Sequence, residues 1–271
     1  LSKGGGDDVV WKEFDTETKS FIKGGFELPE AKGGVSWIDE NTLFVSTDFG
    51  NGMTTSGYPK EVKIWKRGTS LSEAEKIFEG EETDMSIGAY AYHTKNKTYK
   101  VVSRRTSFYT GIDYFLENNK LIKTDLPDDI EISSIVKNQV ILQLKSDWET
   151  GGKTWKQGAV VSVDYNDLIE NKMNLTLVVM PDERSSVVSV SVSNDVLLVN
   201  MLNNVKSELY KFSFSNAWKK EKINAPEYGN ITMGSSSDDS DNYFFYFTNF
   251  LEPSTLYFGN SKNGEIRKIK S

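Results

Sequence analysis

Between Val35 and Gly80 the chain passes through four short stretches of strand character, and the same grammar returns until its last residue. The first copy reads VSWIDENTLFVSTDF, a Gly-rich connection, EVKIWKRG, a polar turn and AEKIFEG. Each run mixes β-branched, aromatic and polar residues, lacks helical periodicity, and is bounded by Gly, Asn, Asp or Ser. This pattern predicts strands of about 4–8 residues joined by turns. Four such strands make one small antiparallel sheet. A lone sheet of that size cannot cover both of its faces, so it has to pack against copies of itself.

Further copies start near Ile87, Ile132, Val187 and Asn230. The approximate units are 35–80, 87–127, 132–181, 187–226 and 230–271, after a partial unit over 1–31. In each, a short β run precedes a polar turn: Asp39–Asn41, Lys95–Lys97, Lys137–Gln139, Ser193–Asp195 and Ser236–Asn242. A more apolar run follows (LFVS, YKVVS, VILQLK, VLLVNM, YFFYFT), then a variable loop and two further strands. Four strands at a period of about 40–55 residues are the signature of a β-propeller. The alternative, a sandwich or jelly roll of irregular hairpins, does not recur in four-strand units. The expectation is therefore an all-β chain, a β-propeller of four-stranded antiparallel blades. It would hold about five full blades plus part of another in a single domain over 1–271.

Two regions depart from the repeat. Val9–Phe14 and Ser20–Ile22 read as strands around a turn at Asp15–Lys19, with Phe26–Pro29 leading into the next unit. These strands need a partner from the C-terminal end or from an upstream segment, because an unpaired inner edge invites aggregation. Tyr165–Met173 reads as a helical turn inserted in the third unit. The opening Leu1-Ser2-Lys3-Gly4-Gly5-Gly6, without an initiator Met, is that expected of a piece of a longer protein.

Several function classes are excluded by what the chain lacks. Its net charge is -7, with no basic block, which argues against nucleic acid and anionic membrane surfaces as partners. It has no cysteine, hence no disulfide framework, thiolate chemistry or Cys-based zinc site. No apolar run approaches the roughly 18 residues of a membrane span. A nucleophile elbow needs G-x-S-x-G. Gly34-Val35-Ser36-Trp37-Ile38 supplies only its first half, and Gly234-Ser235-Ser236-Ser237 lacks the second glycine. The single histidine, His93, is the only base open to a Ser-His-Asp triad, and it reads as a satisfied strand residue. Asp238, Asp239 and Asp241 cluster oxygen ligands but lack the spacing of a calcium loop, so they read as a solvated turn. No Asp/Glu/His cluster recurs at the inner strands, which disfavours a propeller glycosidase or lactonase. No catalytic residue, metal site or cofactor is expected in this chain.

One stretch stands out, Val101-Val102-Ser103-Arg104-Arg105-Thr106-Ser107-Phe108-Tyr109, where two arginines follow an apolar strand and precede loop aromatics. Guanidinium presents several donors in a fixed fork, and aromatics supply a flat apolar wall. Taken alone, the arginines read equally as surface charges making weak ion pairs.

Three long stretches carry a family resemblance. They are VVWKEFDTETKSFIKGGFELPEAKGGVSWIDENTLFVSTDFG, SGYPKEVKIWKRGTSLSEAEKIFEG and YFFYFTNFLEPSTLYFG. In that order they resemble the propeller of the prolyl oligopeptidases, serine peptidases of the post-proline cleaving group, over essentially the whole chain. The resemblance implies a seven-bladed propeller covering an α/β-hydrolase domain that carries the Ser-Asp-His triad. This chain looks like the later part of that propeller, without the first blade or so and without the hydrolase. It implies as partners the α/β-hydrolase catalytic domain of the same parent chain and a proline-containing peptide substrate. It further implies that Arg105 hydrogen-bonds a carbonyl of the bound peptide, that Phe108 lines a side-chain pocket, and that a substrate-binding aromatic in the preceding blade's apolar strand falls at about Phe44. The implied role is a non-catalytic portion that gates access to the hydrolase site and contributes to peptide binding. The alternative is a stand-alone propeller, a protein-interaction scaffold working through its loops. The parent's compartment is left open between cytoplasm and periplasm.

Overall fold

The structure is a computed structural model that describes residues 2, 4–50 and 52–271. Leu1 and Lys3 of the opening segment lie outside the described residues. The N-terminal segment forms β1 (Val9–Lys12), β2 (Phe14–Asp15), β3 (Ser20–Phe21) and β4 (Glu27–Ala31). The first four-stranded sheet comprises β5 (Gly34–Asp39), β6 (Thr42–Ser46), β7 (Glu61–Lys66) and β8 (Glu75–Glu79). The second comprises β9 (Ser86–His93), β10 (Thr98–Arg105), β11 (Gly111–Glu117) and β12 (Lys120–Lys123). In the third, β13 (Glu131–Val136) and β14 (Gln139–Gln143) precede a separate ribbon, β15 (Trp148–Thr150) with β16 (Lys153–Trp155). That sheet resumes with β17 (Val160–Asp164), a five-residue helix α1 (Tyr165–Ile169) and β18 (Thr176–Val179). The fourth holds β19 (Ser185–Ser193), β20 (Val196–Asn203), β21 (Lys206–Phe214) and β22 (Trp218–Lys222). The fifth holds β23 (Asn230–Ser237), β24 (Ser240–Thr248), β25 (Thr255–Asn260) and β26 (Ile266–Lys270).

All five sheets are antiparallel meanders whose spatial order follows the sequence. The fold is all-β, and its repeating element is the four-stranded antiparallel blade of a β-propeller. Contacts divide the chain into two compact units, 1–92 with 98–128, and 93–97 with 129–271.

Burial follows strand position within each sheet. The second strands β6, β14 and β20 are buried almost throughout. Sheets covered on both faces lose the in-out alternation of a half-exposed strand, which explains why LFVS, VILQ and VLLVNM are apolar without a period. The outermost strands β8, β22 and β26 read EKIFE, WKKEK and IRKIK and are largely exposed. Their lysines and glutamates blunt the open sheet edge against pairing with other chains.

In the first unit Phe44, Val62, Ile87, Val102 and Leu116 pack the first sheet against the second. In the second unit Ile141, Val160, Leu197, Val199 and Phe212 join the third and fourth sheets. Leu198, Leu209, Ile231, Tyr243, Phe245 and Phe247 join the fourth and fifth. Each large side chain buried this way contributes about 1.5–3 kcal/mol.

Three local readings change with the structure. The run expected over Val9–Phe14 breaks at Glu13, whose carboxylate accepts Phe26 N at 3.0 Å. Residues after Phe26 do not simply lead into the next unit, because β4 pairs with β1 in the register Trp11 to Leu28. Phe26 and Leu28 are thereby buried against Leu43, Val45 and Trp65. The helical turn expected over Tyr165–Met173 is confined to α1, where Asp164 Oδ1 caps Asn166 N at 2.9 Å.

Polar bonds also cross between neighbouring sheets. Ser46 Oγ donates to Ile87 O at 2.6 Å, and the buried Asn200 donates through Nδ2 to Ile231 O at 2.8 Å. Asn200→Ala should therefore lower stability by about 1–3 kcal/mol, since a buried carbonyl loses its partner. Asn203→Ala, at a part-exposed position of the same strand, should cost less than about 0.5 kcal/mol. Urea unfolding midpoints of the two variants check the contrast; equal losses would refute it.

Candidate functional site

Strand alternation separates the adjacent arginines of β10, sending Arg104 to one face and Ser103 with Arg105 to the other. Arg104 Nε donates to both carboxylate oxygens of Asp84, at 3.0 and 2.9 Å. Asp84 is buried and also accepts Glu81 N at 2.7 Å. Arg104 is therefore engaged in holding the 81–84 loop. Arg105 makes no side-chain hydrogen bond among the described residues. Its Nη2 stands 4.0 Å from Asp113 Oδ1, and its side chain is 38% exposed. Of the two, Arg105 is the one with N–H donors to offer a ligand.

Asp113 is buried on β11, directly opposite Ser103 in the strand pair. Burial pushes its carboxyl above the usual carboxylate range, and the Ser103 hydroxyl and Arg105 guanidinium offset this only in part. The Ser103 hydroxyl bears on the carboxylate without meeting good hydrogen-bond geometry.

Arg105 and Ser103 line a cavity of about 250 Å³ within the first unit. Its wall includes Lys32, Tyr58, Ser86 and Tyr90, and Phe44 contributes to its floor. Lys32 Nζ sits 3.6 Å from Asp7 and 4.8 Å from the centre of the Tyr58 ring. The cavity thus combines a cationic fork with aromatic walls, and the buried Asp113 stands behind Arg105 outside its lining. Such a site suits a mostly neutral, carbonyl-bearing ligand such as an extended peptide.

The structure brings Arg105 and Phe44 to this one cavity and leaves Phe108 outside its lining. Phe44 is 1% exposed and belongs to the core. Phe108 and Tyr109 are 76% and 81% exposed and meet edge to face at 5.1 Å. They form the tip of a loop closed by Thr106 N to Thr110 O at 3.0 Å and by Ser107 Oγ, which accepts Thr110 N at 3.1 Å. Sequence reasoning missed Asp113, Gly111 and the residues Lys32, Tyr58 and Tyr90. Arg105 faces Gly111 and Ser103 faces Asp113 only because of the β10–β11 register, which no local motif announces.

The two ends of each sheet differ in chemistry. Turns between first and second strands, and between third and fourth, hold residues such as Asn41, Lys95, Asn118, Asn138, Asn194 and Asp239. No large exposed apolar side chain lies in them among the described residues. Loops after second and fourth strands carry Phe108 and Tyr109 in the first unit. In the second unit they carry Met180, Val205, Tyr228, Phe250 and Leu251, the last two 107% and 93% exposed.

Among the described residues, no group of three or more His, Asp or Glu could hold an ion. Burial pushes the Asp238 carboxyl up to about 6; His93 opposes the shift, while Asp239 and Asp195 add to it. No helix among the described residues is long and apolar enough to cross a membrane.

Over residues 1–271 the chain matches the family described as the prolyl oligopeptidase, N-terminal beta-propeller domain. It is 34% identical to the uncharacterized peptidase y4nA of Sinorhizobium fredii over 285 residues, covering 100% of this chain and 39% of that protein. It is 27% identical to an uncharacterized peptidase of Rickettsia prowazekii, covering 100% of this chain and 40% of the relative. Among solved structures, a post-proline cleaving enzyme from Rickettsia typhi superposes with a TM-score of 0.91 at 26% identity. That match covers 100% of this chain and 42% of the other. The chain thus spans about two fifths of the length of the relatives it matches.

Arg104→Ala should cost about 3–5 kcal/mol, because it strands the buried Asp84 carboxylate. Arg105→Ala should cost less, because Arg105 stands 4.0 Å from Asp113 and makes no hydrogen bond to it. Unfolding midpoints compare them, and a larger loss for Arg105 would reverse the assignment. Asp238 supplies a pH test. Its raised folded value means that its contribution is full below its ordinary 3.8 and is lost as pH rises through about 6. Asp238→Asn should therefore gain Tm relative to the unsubstituted chain between pH 4 and pH 7. A Tm difference that is flat across that window would contradict the burial of this acid.

Proposed function

Because the chain belongs to the prolyl oligopeptidase family, as its N-terminal β-propeller domain, we propose that it is the non-catalytic propeller portion of a prolyl oligopeptidase-like serine endopeptidase. In this reading residues 1–271 act as one propeller domain that limits access to an α/β-hydrolase domain of the same parent chain. Arg105 donates to a backbone carbonyl of a proline-containing peptide.

The observation that carries the reading is the uncommitted fork of Arg105 at the wall of an aromatic-lined cavity. A guanidinium bond to a peptide carbonyl is charge-assisted yet places no second charge on the ligand, so it suits neutral backbone. The exposed aromatics and aliphatics on the loop ends support the same reading. Large apolar side chains left in water mark surfaces that a partner covers, and the catalytic domain is the partner proposed. Phe108, at the tip of its loop, supplies an apolar wall to a substrate side chain once that surface is covered. Phe44 acts from beneath, as the packed floor that keeps the cavity open. Large folded proteins are kept from the hydrolase because only an extended chain reaches the covered site.

The test is steady-state kinetics of the parent enzyme on a fluorogenic proline-containing peptide. Arg105→Ala should lower kcat/KM by roughly 10–100-fold, the equivalent of one charge-assisted hydrogen bond. The isolated 1–271 chain should show no turnover. Unchanged kinetics would remove Arg105 from the site, and turnover by the isolated chain blocked by a serine-directed reagent would refute the non-catalytic assignment. A stand-alone scaffold predicts a folded chain whose binding partner is indifferent to Arg105.

A further inference from the structure

Two acids on the second sheet's neighbourhood are buried, and only one of them is bonded. Asp84 accepts from Arg104 Nε and from Glu81 N, which explains its burial. Asp113 is also buried, at 8% exposure against 3% for Asp84, yet no hydrogen bond of good geometry reaches its carboxylate among the described residues. A desolvated carboxylate without such bonds is unfavourable for folding, so stability does not explain why an acid stands there. What it does face is the guanidinium of Arg105, 4.0 Å away.

Gly111 completes the arrangement. It lies directly opposite Arg105 in the β10–β11 pair. A Cβ built on it would fall 2.9 Å from Arg105 Cδ and 2.9 Å from Arg105 Nη1. The arginine side chain therefore runs across the space that a facing side chain would fill. The backbone beneath it is fixed: Gly111 N donates to Asp128 O at 2.7 Å, and Asp113 O accepts Thr124 N at 3.1 Å and Thr124 Oγ1 at 3.0 Å.

We propose that Asp113 is a positioning residue for Arg105, holding one Nη of the guanidinium along the track that Gly111 leaves open so that the remaining N–H groups face the cavity. The inference rests on the reading of Arg105 as a peptide-binding residue and adds to it the reason the fork is pre-aimed. An arginine free to sample its rotamers loses conformational entropy on binding, and a fixed one loses less. The carboxylate stays one step back from the ligand and acts only through the arginine.

A double-mutant cycle in the full-length parent enzyme tests this, with Asp113→Asn, Arg105→Ala and the combination assayed on a fluorogenic proline-containing peptide. Asp113→Asn should lower kcat/KM by about three- to tenfold through KM, with kcat little changed, and that loss should vanish in the Arg105→Ala background. Asp113→Ser, which also removes the charge, should behave alike. Asp113→Glu should recover part of the loss, which a purely structural role would not produce. If Arg105→Ala leaves kcat/KM unchanged, the peptide-binding reading falls and this inference with it. If Arg105→Ala lowers kcat/KM but Asp113→Asn does not, or the two losses multiply independently, only the positioning role is overturned. Failure of both Asp113→Asn and Asp113→Ser to fold would make Asp113 a structural residue and overturn it equally.

Discussion

The structure depends on the burial of each sheet's second strand by its neighbour. Hydrogen bonding within a sheet satisfies the backbone, so what joins one sheet to the next is side-chain packing, which is strong but non-directional. Direction comes from a few buried polar bonds that cross the apolar layer. Ser46 reaches Ile87 O in the first unit and Asn200 reaches Ile231 O in the second, each from a second strand to the start of the next first strand. Between the third and fourth sheets, Trp218 Nε1 donates to Ser162 Oγ at 2.9 Å, and Ser162 Oγ donates in turn to Gln139 Oε1 at 2.9 Å. A sheet shifted along its neighbour would keep much of its hydrophobic burial but leave these groups unpartnered. That asymmetry gives the stacking a single register.

Charge is handled differently at the rim. Lys222 and Tyr210 hold the Glu208 carboxyl down to about 2, and burial together with that carboxylate pushes the Tyr210 hydroxyl up to about 12. Most other ion pairs, such as Lys12 with Glu27 and Lys156 with Asp147, are exposed and contribute little. Rim charge serves mainly to keep outer strands from pairing with other chains, while the inner layers carry the free energy of folding.

Much of this was legible in the sequence because it is periodic. Polar pairs such as Lys137-Asn138 and the apolar runs behind them mark the hairpins and the buried strands, and the five sheets fall where those runs stand. Non-local features were not legible. The β15–β16 ribbon hides in a loop because its strands are only three residues each. The break at Glu13 depends on Arg67, which binds that carboxylate with two bonds of 2.8 Å from another part of the chain. The sequence of β10 presents two equivalent arginines. Only the alternation of the strand, and the presence of Asp84 on one side, separates a structural arginine from an available one. Asp113 could be connected with Arg105 only through the register of two strands, which the five-residue connection between them does not specify.

Backbone strain is distributed along the same division as the surface chemistry. At the turns joining first to second or third to fourth strands, left-handed positions are filled by Asn118, Asn119, Lys137, Asn138 and Asn194. Asparagine tolerates that conformation well. On the opposite ends, Val205 and Tyr228 take φ of 64° and 63°. A β-branched residue is poorly suited to such a φ, and a glycine or asparagine would relieve the strain. Both side chains are also exposed, 88% and 68%, and Lys206 Nζ stands 4.0 Å over the Tyr228 ring. Neither strain nor exposure helps this chain fold by itself. The two costs coincide at Val205 and Tyr228, whereas the turn ends expose no large apolar side chain among the described residues and fill these left-handed positions with asparagine, Lys137 excepted. Strained and wet apolar side chains of this kind are what contact with another surface would stabilise, and folding of the strands alone gives no reason to keep them.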